Sequence, residues 1–137
     1  GLGADRVVLS NPESFQKEAG KFHVVLNTLP VGDDLTVLVS LTRAFGTFVQ
    51  LGLPDVRVPN KFQVGPLVFS NINLTGSLIG SKKETEEMLV FSAKHNIVPL
   101  CEQFTFEDFP KAYDRICNGR PKFRCVVDVT KFDLKKH

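Results

Sequence analysis

The feature that most constrains this chain is its alternation of short, β-branched apolar runs with segments of helical period. One run, FHVVLN over residues 22–27, is almost continuously apolar, as expected of a strand buried on both faces of a parallel sheet. Others are Arg6-Val7-Val8-Leu9, Thr47 to Leu51, Ile72 to Ile79, Ile97 to Phe104 and Phe123 to Val129. Helical signals lie between them. Ser10-Asn11-Pro12-Glu13 combines a polar cap, an early proline and an acid at the positive helix end, and Gly20 stops the segment. Asp33 or Asp34 caps a stretch in which Leu35, Leu38 and Leu41 recur every three residues and which ends before Gly46. Ser81 and Glu84 have the spacing of a reciprocal capping box, followed by Met88, Leu89, Phe91 and Ala93. Phe109, Ala112, Tyr113 and Ile116 follow the i, i+3, i+4, i+7 rule, with Gly119 as the stop. Residues 54–70, with three prolines, read as irregular. Strand–helix alternation of this kind specifies an α/β fold with a parallel sheet.

The 137 residues leave room for one domain with a core, and 42% hydrophobic with 23% charged residues is an ordinary globular balance. No apolar run reaches the ~20 residues that span a bilayer, and the first residues do not read as a signal peptide. A net charge of +2 lacks the dense basic face of a nucleic-acid binder. The basic stretches, residues 120–124 and the tail from Lys131 to His137, read as solvated surface. Cys101, Cys117 and Cys125 are odd in number and widely spaced, which fits neither a disulfide framework nor a zinc signature. They read as small buried hydrophobes in a reducing, cytoplasmic protein. His23, His95 and His137 have no partners at metal-ligand spacing. No metal-binding and no catalytic residue is assigned within the chain.

A dinucleotide fingerprint needs G-x-G-x-x-G between a strand and a helix. Gly1-Leu2-Gly3 begins like one, but position 6 is Arg6 and a strand-like run follows rather than precedes it. No nucleophile elbow, P-loop or H-E-x-x-H occurs. Glu84, Glu86 and Glu87 read as a solvated helix face rather than an acid/base pair. Open α/β sheets bind ligands at the carboxyl ends of their strands. Here the corresponding turns are residues 28–32, 52–54 and 79–81, and both a binding edge and ordinary loops fit them.

The block Gly76-Ser77-Leu78-Ile79-Gly80-Ser81, followed by Lys83-Glu84-Thr85-Glu86-Glu87-Met88-Leu89, resembles the cinnamyl alcohol dehydrogenase branch of the zinc-type medium-chain dehydrogenases. Further matching pieces follow the family order: Leu2-Gly3-Ala4-Asp5, Leu26-Asn27-Thr28-Leu29-Pro30, residues 46–52, Ala112-Tyr113-Asp114-Arg115 and Val126-Val127-Asp128-Val129. The resemblance covers nearly the whole chain. It implies the C-terminal part of an NADP-dependent enzyme that interconverts alcohols and aldehydes by hydride transfer, with substrate oxygen polarised by zinc. In that family the zinc ligands, proton relay and glycine-rich motif lie upstream of the matched segment, so this chain alone is expected to be inactive. The implied fold is an incomplete Rossmann sheet over residues 1–96, with residues 97–137 as the return segment of the catalytic domain.

By the same resemblance Thr28, Gly52, Ser77, Leu78 and Ile79 border the nicotinamide. A missing side chain at Gly52 lets backbone approach a flat ring, and Leu78 and Ile79 exclude water or simply pack as core. Pro66 and Phe69 match positions lining the substrate pocket. Lys122-Phe123-Arg124-Cys125 stands where the family often has R-Y-R-F, and Lys122 lacks the planar guanidinium fork that grips a phosphate. The edge strand from Thr75 to Ile79 implies a homodimer, since an apolar unpaired edge needs cover. In the order 3-2-1-4-5-6 the run Arg6 to Leu9 is strand 3 and residues 22–27 are strand 4. No strand lies between to join them, so the first run is orphaned, rearranged or supported by another chain. Two other readings remain, a non-catalytic dimerisation or interaction module and a zinc-independent quinone reductase.

Overall fold

The structure, a computed structural model, describes residues 3–30, 34–53, 55, 57 and 61–130. Gly1, Leu2, residues 31–33, Pro54 and the basic tail 131–137 lie outside the described residues, as do the readings placed on them. The chain forms two compact units, Gly1–Ile79 and Gly80–His137.

The first unit contains α1 (Pro12–Glu18), β1 (Phe22–Asn27), α2 (Leu35–Val39), β2 (Thr42–Gln50), α3 (Gly65–Ser70) and β3 (Asn73–Gly76). Its three strands are parallel in the order β1-β2-β3. Val25 pairs with Phe48, and Phe48 with Leu74, across the sheet. Phe48 is fully buried and centres the core with Leu38, Val39, Leu41 and Ile72. Phe15 from α1, Leu35 from α2 and Leu67 from α3 pack against it, so all three helices serve one sheet face. Alternate residues on β1 therefore part company: Val25 is half-buried, whereas Val24 and Leu26 are 58% and 62% exposed. Burial of β1 on both faces is thus corrected to burial on one, because strand side chains alternate.

Local signals set the helix ends. Asn11 caps α1 by accepting the Ser14 amide at 2.8 Å, and Gly20 follows at φ +71°. Asp34 caps α2 through the Thr36 amide at 3.0 Å. Residues 6–9 form no strand, and Val7 is exposed. No described strand is available to pair with them, and an isolated apolar run cannot satisfy its backbone by itself. The segment is tied instead by Arg6 to Glu18, which is buried and also meets Lys21 at 3.5 Å.

Two elements differ further from expectation. Strand β2 begins five residues early, because Phe22 pairs with Thr42 before the register jumps to Val24 with Thr47. The intervening residues bulge, with Phe45 at φ +58°. A β-carbon on Gly46 would lie 2.8 Å from the His23 carbonyl oxygen, so only glycine fits beneath the bulge. The stretch read as irregular contains α3, which Pro66 starts without a side-chain cap and Asn71 ends in the left-handed region at φ +50°.

The second unit contains α4 (Lys82–Lys94), β4 (Glu102–Thr105), α5 (Phe109–Cys117) and β5 (Cys125–Asp128). Strands β4 and β5 are parallel, joined through α5 in a βαβ arrangement. The capping box on α4 is formed: Ser81 Oγ accepts the Glu84 amide at 3.3 Å, and Glu84 accepts the Ser81 amide at 2.7 Å. These bonds, the Ser81 amide first, hold the Glu84 carboxyl below its ordinary range. Ala112 is buried, while Phe109, Tyr113 and Ile116 of the same apolar stripe are about half exposed. Glu102 staples the unit, accepting the Lys122 amide at 2.7 Å and pairing with Arg115 at 2.9 Å. Of the cysteines expected to be buried, Cys117 is exposed on α5 and Cys101 and Cys125 are half-buried; all three are free thiols.

Candidate functional site at the carboxyl edge of the sheet

The three parallel strands of the first unit end in register, Asn27 beside Gln50 beside Gly76. The chain beyond each end supplies one expected cofactor residue: Thr28 after β1, Gly52 after β2 and Ser77 after β3. Hydrogen bonds bind these ends together. The Leu51 and Gly52 amides donate to the Asn27 carbonyl at 2.9 and 3.0 Å, and the Ser77 amide donates to the Gln50 carbonyl at 3.1 Å. A β-carbon on Gly52 would fall on the Leu29 carbonyl and lie 2.8 Å from the carbonyl carbon of Thr28. Gly52 is therefore required by contact between two turns, a sharper reason than access for a ring.

Sequence reading missed the polar link beneath these turns. Asn27, buried at the end of β1, donates from Nδ2 to Gln50 Oε1 at 2.8 Å and accepts the Leu29 amide on Oδ1 at 3.2 Å. Gln50 donates from Nε2 to the Gly52 carbonyl at 2.6 Å. The two residues are 23 apart in sequence; only the quoted piece Leu26-Asn27-Thr28-Leu29-Pro30 hinted at Asn27. Also unforeseen is the bidentate Asp55–Arg57 pair, with N–O distances of 2.9 and 2.6 Å. Its hydrogen bonds, the side-chain ones first, pull the Asp55 carboxyl down and push the Arg57 guanidinium up.

The expected site residues do not all gather here. Leu78 and Ile79 continue from β3 at the same edge, each 88% exposed, so they are surface and not core within the described residues. Pro66 and Phe69 stand on α3, whose end leads into the amino end of β3. They line an open hollow of about 590 Å³ with Gly20, Ser40, Thr42 and Ile72, residues at the strand starts. The sheet thus separates them from Thr28, Gly52 and Ser77. Thr42 Oγ1 is buried near that hollow without a hydrogen-bond partner.

Gly76 leaves the carboxyl edge low, since a β-carbon there would meet only the Gln50 carbonyl oxygen, at 3.8 Å. The Thr28 side chain is exposed there. Bare backbone beside an exposed hydroxyl leaves room for a flat ligand that carries a hydrogen-bonding group. Zinc is different. Among the described residues no cluster of three or more His, Cys, Asp or Glu side chains could hold a metal, so no step through a metal is assigned to them. No helix among these residues is long and apolar enough to cross a membrane.

Comparison with known proteins agrees with this architecture. The profile of the zinc-binding dehydrogenase family matches residues 1–94. The NADP-dependent alcohol dehydrogenase C 1 of Mycolicibacterium smegmatis is 40% identical over 119 residues, covering 87% of this chain and 34% of that protein. The crystal structure of a cinnamyl alcohol dehydrogenase from Helicobacter pylori complexed with NADP(H) superposes with a TM-score of 0.69 at 33% identity. It covers 85% of this chain and 34% of the other. A cinnamyl alcohol dehydrogenase from Sorghum bicolor, at 19% identity, shows the same fold with a TM-score of 0.77 over 91% of this chain and 35% of its own. The chain spans about a third of the length of these relatives and corresponds to their C-terminal part. Its mixed α/β architecture with short parallel sheets is that of their Rossmann-like cofactor-binding part. The chain belongs to the zinc-binding dehydrogenase family.

Proposed function

We propose that this chain is the nicotinamide-binding C-terminal part of an NADP-dependent alcohol dehydrogenase, which interconverts alcohols and aldehydes at a zinc site built by residues outside it. The observation that carries the reading is the convergence of Thr28, Gly52 and Ser77 at the carboxyl ends of three parallel strands, where open α/β sheets take their ligands. The dinucleotide supplies the hydride donor and acceptor. Thr28 offers a hydroxyl to the carboxamide, Gly52 holds the two turns in contact, and Ser77 fixes the third strand end through the Gln50 carbonyl. Leu78 and Ile79 form the apolar wall that keeps water from the transferring hydride. Residues 1–96 belong to the nucleotide-binding domain and 97–137 to the catalytic domain. The three free thiols fit a reducing cytoplasm. Pro66 and Phe69, at the opposite edge of the sheet, add nothing to the cofactor wall, and a substrate role for them stands on resemblance alone.

Titration of the protein with NADPH, followed by nicotinamide fluorescence, tests this reading. Saturable binding that weakens in Leu78→Asp and in Ile79→Asp is expected; both positions are exposed, so folding tolerates the change. Absence of NADPH binding by the wild-type protein would sink it.

The exposed apolar pair at positions 78 and 79 also favours a second reading, an interaction module that pairs residues 75–79 with the same strand of a second copy. Native mass separates the two. A dimer that Leu78→Asp splits, in a protein without affinity for NADPH, supports the module.

A further inference from the structure

We propose that Asn27 and Gln50 are positioning residues for the nicotinamide site, acting together as a side-chain clasp that sets the height of the Thr28–Leu29 turn against Gly52. The inference rests on the cofactor reading above and assigns a role to two residues that touch no ligand themselves.

The geometry points to a directed chain of hydrogen bonds. Gln50 Nε2 donates to the Gly52 carbonyl at 2.6 Å, Asn27 Nδ2 donates to Gln50 Oε1 at 2.8 Å, and the Leu29 amide donates to Asn27 Oδ1 at 3.2 Å. Each carboxamide oxygen accepts and each carboxamide nitrogen donates, so neither amide can flip without breaking two bonds. The clasp thereby connects the turn after β1 to the turn after β2 by side chains, in addition to the amide bonds from Leu51 and Gly52 to the Asn27 carbonyl. Asn27 is buried, and a buried amide left unpaired is costly, which keeps the clasp closed. Gly76, the neighbour of Gln50 on its other side, has no side chain to compete for that amide.

Thr28 and Gly52 lie one and two residues beyond the two clasp members. A displacement of well under an ångström at either turn changes whether a hydroxyl reaches a carboxamide, since hydrogen bonds weaken steeply with distance and angle. The backbone bonds from Leu51 and Gly52 already tie the second turn to the Asn27 carbonyl, and the clasp adds side-chain bonds to the Leu29 amide and the Gly52 carbonyl.

The test uses the full-length protein and three forms of it: wild type, Gln50→Met and Gln50→Glu. Methionine keeps the volume and removes every hydrogen bond. Glutamate keeps the acceptor for Asn27 Nδ2 and removes the donor to Gly52. NADPH affinity is measured where all three are fully folded, and amide hydrogen exchange is followed at Leu29 and Gly52. The expected result is an NADPH dissociation constant raised about tenfold in Gln50→Met, as for the loss of one or two partly buried hydrogen bonds. A rise at least as large is expected in Gln50→Glu, whose carboxylate faces the Gly52 carbonyl with no proton to donate, and faster exchange is expected at both amides in Gln50→Met. A purely structural role would lower the urea midpoint and leave the affinity of the folded protein unmoved, which overturns the proposal. Unchanged exchange at Leu29 and Gly52 also overturns it. If the wild-type protein itself does not bind NADPH, the cofactor reading fails and takes this proposal with it; wild-type binding with an unaffected Gln50→Met variant refutes the clasp alone.

Discussion

Replacing Gly52 with alanine isolates the contact that holds the candidate site together. The added β-carbon would fall on the Leu29 carbonyl and lie 2.8 Å from the Thr28 carbonyl carbon, whereas ordinary contact begins near 3.4 Å. The Thr28–Leu29 turn must therefore retreat by at least 0.6 Å, and further at the Leu29 carbonyl. The obstacle is backbone, not the flexible end of a side chain. Overpacking of this kind costs about 1–3 kcal/mol. The retreat also stretches the Gly52 amide bond to the Asn27 carbonyl at 3.0 Å and the Leu29 amide bond to Asn27 Oδ1 at 3.2 Å, each worth roughly 1 kcal/mol. A loss of about 3 kcal/mol follows, allowing for partial relaxation. Gly76→Ala is the control, since its β-carbon meets only one atom at 3.8 Å and should cost less than about 1 kcal/mol. Urea unfolding followed by far-UV circular dichroism is the suitable assay, because the chain has no tryptophan and a single tyrosine. Equal stability of Gly52→Ala and Gly76→Ala would refute the argument that turn contact, rather than general dislike of a side chain at the sheet edge, accounts for Gly52.

Phe48→Ala empties the centre of the first unit and should cost about 3–5 kcal/mol, read as a lowered urea midpoint; a loss under 1 kcal/mol would mean that Phe48 is not its centre. The Glu102 carboxyl is held below its ordinary value near 4.5, first by the Lys122 amide and then by Arg115. Its contribution to stability is present above that ordinary value and disappears as pH falls through the lower folded-state value. Glu102→Gln should accordingly flatten the acid limb of the stability–pH curve below about pH 5, and an unaltered acid limb would contradict the staple.

Much of the local structure was legible in the sequence because its determinants lie within a few residues of one another. Asn11 and Pro12 start α1, Ser81 and Glu84 close their capping box within four positions, and Gly20 and Gly119 adopt positive φ where the helices stop. Resemblance in the block from Gly76 to Leu89 pointed to the family that the profile match establishes. The short helix α3 escaped notice, since its prolines resemble loop punctuation. What holds it is non-local: Leu67 reaches the core around Phe48, and the Ile72 amide bonds back to the Leu67 carbonyl.

By itself the sequence determined the alternation of strand and helix, the helix ends and the parallel character of the sheet, all consequences of side-chain period and local capping. Only the tertiary structure decided which runs became strands. Residues 22–27 found a partner in β2, whereas the equally apolar residues 6–9 found none among the described residues and stayed irregular. The same holds at the candidate site. Thr28, Gly52 and Ser77 meet because three strands end in register, and Pro66 and Phe69 fall at the other end because α3 runs back toward the start of β3. The link from Asn27 to Gln50 joins residues 23 positions apart. A strand's hydrogen bonds and one of its side-chain faces are satisfied only by another segment, so pairing and register are properties of the assembled sheet and not of any window along the chain.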